Sequence, residues 1–130
     1  MAREKSSQPP GRFFPKLTAP REEAQSRIEA QIKKGNDIKS RPISTDVDLM
    51  AAKKEYYNWN TFNSNLLRRL FDSEELSVNY SAWYGIDTGD RKSLQEEIKD
   101  LLADTDSNIH KLRTIIERLP IYDEPESIRH

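Results

Sequence analysis

The chain contains no cysteine, which excludes disulfides, thiolate nucleophiles and every zinc site built on sulfur ligands. Neither charge dominates: 21 basic residues face 22 acidic ones for a formal net charge of −1. That balance argues against a whole-surface grip on nucleic acid or anionic lipid. No run of apolar residues approaches the ~18 needed to span a bilayer, and Met1 to Lys16 lacks the apolar stretch of a secretory signal. The same segment carries Arg3, Lys5, Arg12 and Lys16 against Glu4. Gln8-Pro9-Pro10-Gly11 nevertheless breaks the amphipathic helix that a transit peptide would need. A cytoplasmic protein is the reading these absences favour.

What is present is helical periodicity. Leu49, Ala52, Tyr56, Trp59, Phe62 or Asn63, Leu66 and Leu70 recur every three to four residues with no proline or glycine between them, the period of a helix that buries one face. A second stripe, close to a coiled-coil heptad, runs through Ile98, Leu101, Thr105, Ile109, Leu112, Ile116 and Leu119. It opens on the capping box Ser93-Leu94-Gln95-Glu96 and stops at Pro120. A shorter stripe, Ala24, Ile28, Ile32, Gly35 and Ile38, begins near Pro20 and ends before Arg41-Pro42. Gly35 marks either a close helix crossing or a fraying end. Thr45 with Asp48 imitates a capping box for the long middle helix, and Asp72-Ser73-Glu74-Glu75 opens a short fourth segment.

These readings predict an all-α protein: an elongated antiparallel helical hairpin or bundle of three main helices plus one short helix. They divide the chain into a disordered arm over 1–16, a helical bundle over 17–120 and a flexible acidic tail over 121–130. Charged residues make up 33% of the chain and apolar ones 35%, so the core is a thin seam between helices. The shorter first helix is expected to leave part of the long pair uncovered. That is a physical reason for self-association or docking.

No motif rises to a catalytic, cofactor or metal site. His110 has Asp106 one turn before it, but no third ligand is indicated. Gly85-Ile86-Asp87-Thr88-Gly89-Asp90 matches no phosphate-cradling loop, and His130 lies on the tail, away from any nucleophile. The candidates that remain are contact residues: the aromatic cluster Tyr56, Trp59 and Phe62, the polar Asn63 within the apolar seam, and the adjacent guanidiniums Arg68 and Arg69. Core packing accounts for the aromatics. A polar residue in a seam fixes register or partner choice, and cations near a helix C-terminus complement its dipole.

Arg21-Glu22-Glu23-Ala24, the stretch from Ile28 to Gly35, Glu55-Tyr56-Tyr57-Asn58-Trp59-Asn60-Thr61-Phe62-Asn63 with Leu66-Leu67-Arg68-Arg69-Leu70-Phe71, and Ile115-Ile116-Glu117-Arg118-Leu119 together carry a resemblance. In this order they resemble a helical region found in bacterial proteins upstream of TIR-like predicted nucleotide-binding domains, including effectors of cyclic-nucleotide anti-phage defence. The resemblance covers roughly residues 17–120. In those proteins the following domain does the enzymatic work, so no active-site residue carries over. What the resemblance implies is an accessory role, in self-assembly or in control of an effector.

The expected function is therefore a non-enzymatic protein-interaction or oligomerisation module acting through the Trp59 face, with no cofactor, metal or small-molecule ligand. The alternative is a small nucleic-acid-associated regulator of the antitoxin type that uses Lys53, Lys54, Arg68, Arg69 and the basic arm. A ligand-binding bundle with a pocket near Trp83-Tyr84 has only its aromatic content behind it.

Overall fold

The computed structural model describes residues 15–82 and 92–123. They form four helices: α1 (Arg21–Lys39), α2 (Asp46–Leu70), α3 (Glu75–Ser81) and α4 (Leu94–Tyr122). Among the described residues the only β-type pairing is a single bridge between Leu17 and Phe71. The protein is all-α, with three main helices and one short one. None of these helices is long and apolar enough to cross a membrane.

The helix starts follow the local chemistry. The Thr45 hydroxyl accepts from the backbone N–H of Asp48 at 3.1 Å, while the Asp48 carboxylate accepts from Ser44 N–H at 3.0 Å. The return bond thus reaches one residue further back than in a standard capping box. Ser93 and Glu96 form the full reciprocal box. The helix ends are less local. Pro120 was expected to stop the last helix, yet α4 continues through it to Tyr122, whose side chain is buried. The phenol packs edge-on against Phe71 with ring centroids 5.3 Å apart. That tertiary contact holds the two helical residues past the proline.

The expected arm also ends earlier than residue 16, because Pro15 and Lys16 belong to the folded body. Lys16 and Asp72 exchange two bonds, Lys16 N–H to the Asp72 carboxylate and Asp72 N–H to the Lys16 carbonyl, each 2.9 Å. The Thr18 N–H and hydroxyl donate to the carbonyls of Leu70 and Arg69, and Leu17 N–H donates to the Tyr122 carbonyl. Leu17 and Thr18 therefore satisfy carbonyls at the C-terminal ends of both long helices, groups that would otherwise lack partners. The Phe13-Phe14 pair and the segment from Glu124 to His130 lie outside the described residues, as do Trp83, Tyr84 and the loop from Gly85 to Asp90.

α1 runs antiparallel to both long helices. Leu17 lies beside Phe71 and Tyr122, Gln31 beside Trp59, and Lys39 beside Asp106. The long helices consequently run the same way as each other, with Lys53 against Glu97 and Asn60 against Asn108. α1 packs more extensively on α4 than α2 does. The main core therefore gathers around α1, with Ala24 and Ile28 meeting Leu67, Ile109, Leu112 and Leu119. Each such aliphatic side chain contributes about 1.5–3 kcal/mol on burial. Beyond the end of α1, α2 and α4 meet in a second, smaller cluster of Leu49, Ala52 and Leu101.

Candidate functional site

Three features of α2 compete as the functional part of the molecule, and its two long faces separate them.

The inner face holds Trp59. Its ring is 4% exposed and lies in a junction with α1, where the indole N–H donates to the Gln31 carbonyl at 2.8 Å. Gly35, one turn further along α1, leaves the space that the ring occupies. The position is a close helix crossing, one of the two readings its sequence context allows. Trp59 is thus covered by the chain's own α1, and the surface through which docking was expected lies inside the molecule. Beside it a shallow groove of about 390 Å³ runs past Lys34, Arg41, Glu55 and Phe62. Arg41 grips Glu55 with two nitrogens, at 2.9 and 2.6 Å, and this charged hydrogen bond holds the Glu55 carboxyl below its ordinary range.

The second feature is a polar network between α2, α3 and α4. Asn63 is fully buried and its amide donates to the Tyr80 hydroxyl at 2.8 Å. The Tyr80 hydroxyl in turn donates to the Asn60 side-chain amide oxygen at 2.8 Å. Asn108 of α4 donates to that same oxygen at 2.8 Å and to the Tyr56 hydroxyl at 3.1 Å. Burial pushes both phenols, Tyr56 and Tyr80, above their ordinary range. Lys111 donates from its ammonium to the carbonyls of Tyr80 and Ala82, at 3.1 and 3.3 Å, closing the end of α3. Burial lowers its basicity. Asp104 stands in the same cleft with its carboxyl raised, first by burial and then by the neighbouring charge of Asp100.

This network settles which neighbour belongs to the seam: Asn63 faces inward and Phe62 outward. The Asn63 side-chain carbonyl oxygen has no hydrogen-bond partner among the described residues. The network's donors and acceptors are mostly spent on one another, which makes it a device for seating α3 in one register. Asn60, Tyr80, Asn108 and Lys111 are members that sequence reasoning did not single out. The signal was there, since Thr105 and Asn108 fall on the same stripe as Leu101 and Leu112, and polar residues on an apolar face need internal partners.

The outer face of α2 is the third feature. Six large hydrophobic residues are exposed among the described ones, and four of them lie on α2: Val47 (75%), Met50 (70%), Tyr57 (61%) and Phe62 (54%). At about 100° per residue they fall within roughly 140° of the helix circumference. They form a mixed patch with the exposed Lys54, Asn58 and Thr61 between them, covered by no part of the described chain. Lys34 of α1 places its ammonium 6.0 Å from the Phe62 ring centroid at the edge of that patch.

The basic pairs are dispersed and partly engaged. Lys53 pairs with Glu97 at 2.7 Å. Arg68 donates to Asn65 at 3.0 Å and lies 3.8 Å from Glu74, while the Arg69 side chain is exposed on another side of the same turn. His110 is exposed, and no cluster of three or more potential metal ligands occurs among the described residues.

Compared with known proteins, the chain matches no family model, no curated protein and no solved structure.

Proposed function

We propose that this chain is a non-enzymatic helical interaction module that binds protein through the outer face of α2. The observation that carries the reading is the concentration of exposed Val47, Met50, Tyr57 and Phe62 on one helix. Exposed apolar and aromatic side chains gathered on one helix face, here interspersed with the polar Lys54, Asn58 and Thr61, are the ordinary mark of a protein contact. The aromatics Tyr57 and Phe62 are of the kind that anchors such contacts. The proposal moves the contact from Trp59 and Asn63, which are internal, to their outward neighbours on the same helix. An accessory role beside a bacterial defence effector is the setting that the sequence resemblance implies, and an interaction module suits it; a cytoplasmic location is proposed on the composition alone.

The nucleic-acid alternative has less support, because Lys53 and Arg68 both face carboxylates of the chain itself. Cross-linking mass spectrometry tests the main reading. The chain would be treated with an amine-reactive cross-linker at rising concentration, alone and together with the products of its neighbouring genes. Intermolecular links from Lys54 are expected. A chain that forms none under any of these conditions is not such a module.

A further inference from the structure

We infer that the groove between α1 and α2 is a peptide-binding site. It takes a short extended segment of a partner, with an acidic side chain at Lys34 and an apolar one at Phe62. The inference rests on the reading above and deepens it by naming what the partner presents.

Gln31 is 6% exposed, yet its side-chain amide makes no hydrogen bond within the described chain. The tertiary bond at this residue belongs to its backbone carbonyl, which accepts from the Trp59 indole. A buried amide costs free energy unless its donors and acceptor are used. Packing alone asks for an apolar residue here, since the other buried positions of α1 are Ala24, Ile28, Gly35 and Ile38. The amide is not sealed in: among the described residues, the one unpaired side-chain atom cut off from solvent is Asn63 Oδ1. Gln31 lines the groove together with Asn58 of α2. Asn58, exposed on the opposite wall, likewise has no side-chain partner among the described residues.

Two carboxamides on opposite walls complement an extended chain. The N–H and C=O of one residue point to the same side of a strand, and those of the next residue to the other side. One carboxamide offers a donor and an acceptor together, so Gln31 serves one residue and Asn58 its neighbour. From Gln31 to Ile38 the groove follows about 10 Å of α1, which is room for about three extended residues at ~3.3 Å each. The ends choose the side chains. Lys34 forms no ion pair among the described residues and stands 6.0 Å from the Phe62 ring centroid. An acidic side chain complements it, beside an apolar one laid on the exposed Phe62 ring. At the other end Arg41 is already held by Glu55, which leaves Lys34 as the cation open to a partner.

A library of short random linear peptides displayed on phage would be selected on the whole chain. An enriched peptide would then be titrated into isotope-labelled chain and followed by nuclear magnetic resonance. Enriched peptides should share an acidic and a bulky apolar residue within about three positions, and should shift the side-chain amide signals of Gln31 and Asn58. Gln31→Met should weaken binding by about tenfold or more while the thermal midpoint stays level or rises, because the unpaired amide contributes nothing to the fold. Lys34→Glu should weaken it similarly, with recovery when the peptide's acid is replaced by lysine. A clearly lower midpoint for Gln31→Met overturns the inference, since the amide is then a structural group. So do shifts of Gln31 with adenosine and with no peptide. Peptides that perturb Met50 and Tyr57 instead of Gln31 overturn it and leave the proposed function standing. The same holds if no peptide is enriched while Lys54 still cross-links to a protein. Failure of both experiments overturns both readings.

Discussion

The indole of Trp59 occupies the space that a side chain at residue 35 would fill. A Cβ built on Gly35 would stand 2.6 Å from Trp59 Cζ2 and 2.8 Å from Ile109 Cγ1. The missing side chain brings three helices together at one point, and the indole N–H then reaches the Gln31 carbonyl one turn back along α1. In an exposed helix interior, replacing glycine by alanine stabilises by up to about 1 kcal/mol. Here the contact reverses the sign. Gly35→Ala should destabilise the fold by about 1–3 kcal/mol through overpacking, read as a lower urea midpoint at unchanged slope. A variant as stable as the parent would show that the crossing is looser than these distances.

The Asn63–Tyr80 pair gives a second expectation. Asn63→Asp places a charge in a fully buried position and should cost about 3–5 kcal/mol. Tyr80→Phe removes the hydroxyl that links Asn63 to Asn60 and should cost about 1–2 kcal/mol. A double-mutant cycle on Asn63→Ala and Tyr80→Phe should show coupling. Strict additivity would mean that the two groups do not act together.

Alkaline pH probes the same tyrosine. Its folded pKa is raised by burial, so the folded state holds the phenolic proton more tightly than the unfolded chain does. The stability this supplies is complete below the ordinary phenol range, about pH 10, and is lost as pH rises through the folded value. Tyr80→Phe should flatten that alkaline limb, as measured by thermal midpoints across the range.

Acid acts at a helix start. Glu96 has its carboxyl lowered, first by the Ser93 backbone N–H and then by the Ser93 side chain. A depressed carboxylate contributes stability that is present above its unfolded pKa and lost as pH falls through the folded one. Glu96→Gln should therefore reduce the loss of stability below about pH 4, the ordinary glutamate range. An acid limb identical to that of the parent would remove Glu96 from the account.

Lys111 tests how α3 is held. Lys111→Met removes two donors from the carbonyls at the end of α3. It should speed amide exchange in Glu75–Ser81 while leaving the centre of α1 protected. Uniform loss of protection across the molecule would instead place Lys111 in the global core.

Helix type, helix starts and most of the buried stripes were legible in the sequence, because each depends on residues within a few positions of one another, although α4 buries Ile115 where the stripe named Ile116. Period fixes which residues share a face, and a cap needs only its own first turn. The choice between Phe62 and Asn63 could not be made in this way, since adjacent residues lie 100° apart and only the arrival of α3, bringing Tyr80, selects the inward one. The end of α4 beyond Pro120 was likewise decided by Phe71 and Leu17, which are remote in the chain. The same holds for the site: aromatic spacing marked α2 as the important helix, but whether Trp59 faces a partner or the chain's own α1 turns on how three helices stack. Local chemistry determined the pieces of this protein. The relative direction of its long helices, and which side of α2 is left bare, were decided by packing around α1, where contact depends on shape between residues far apart in sequence.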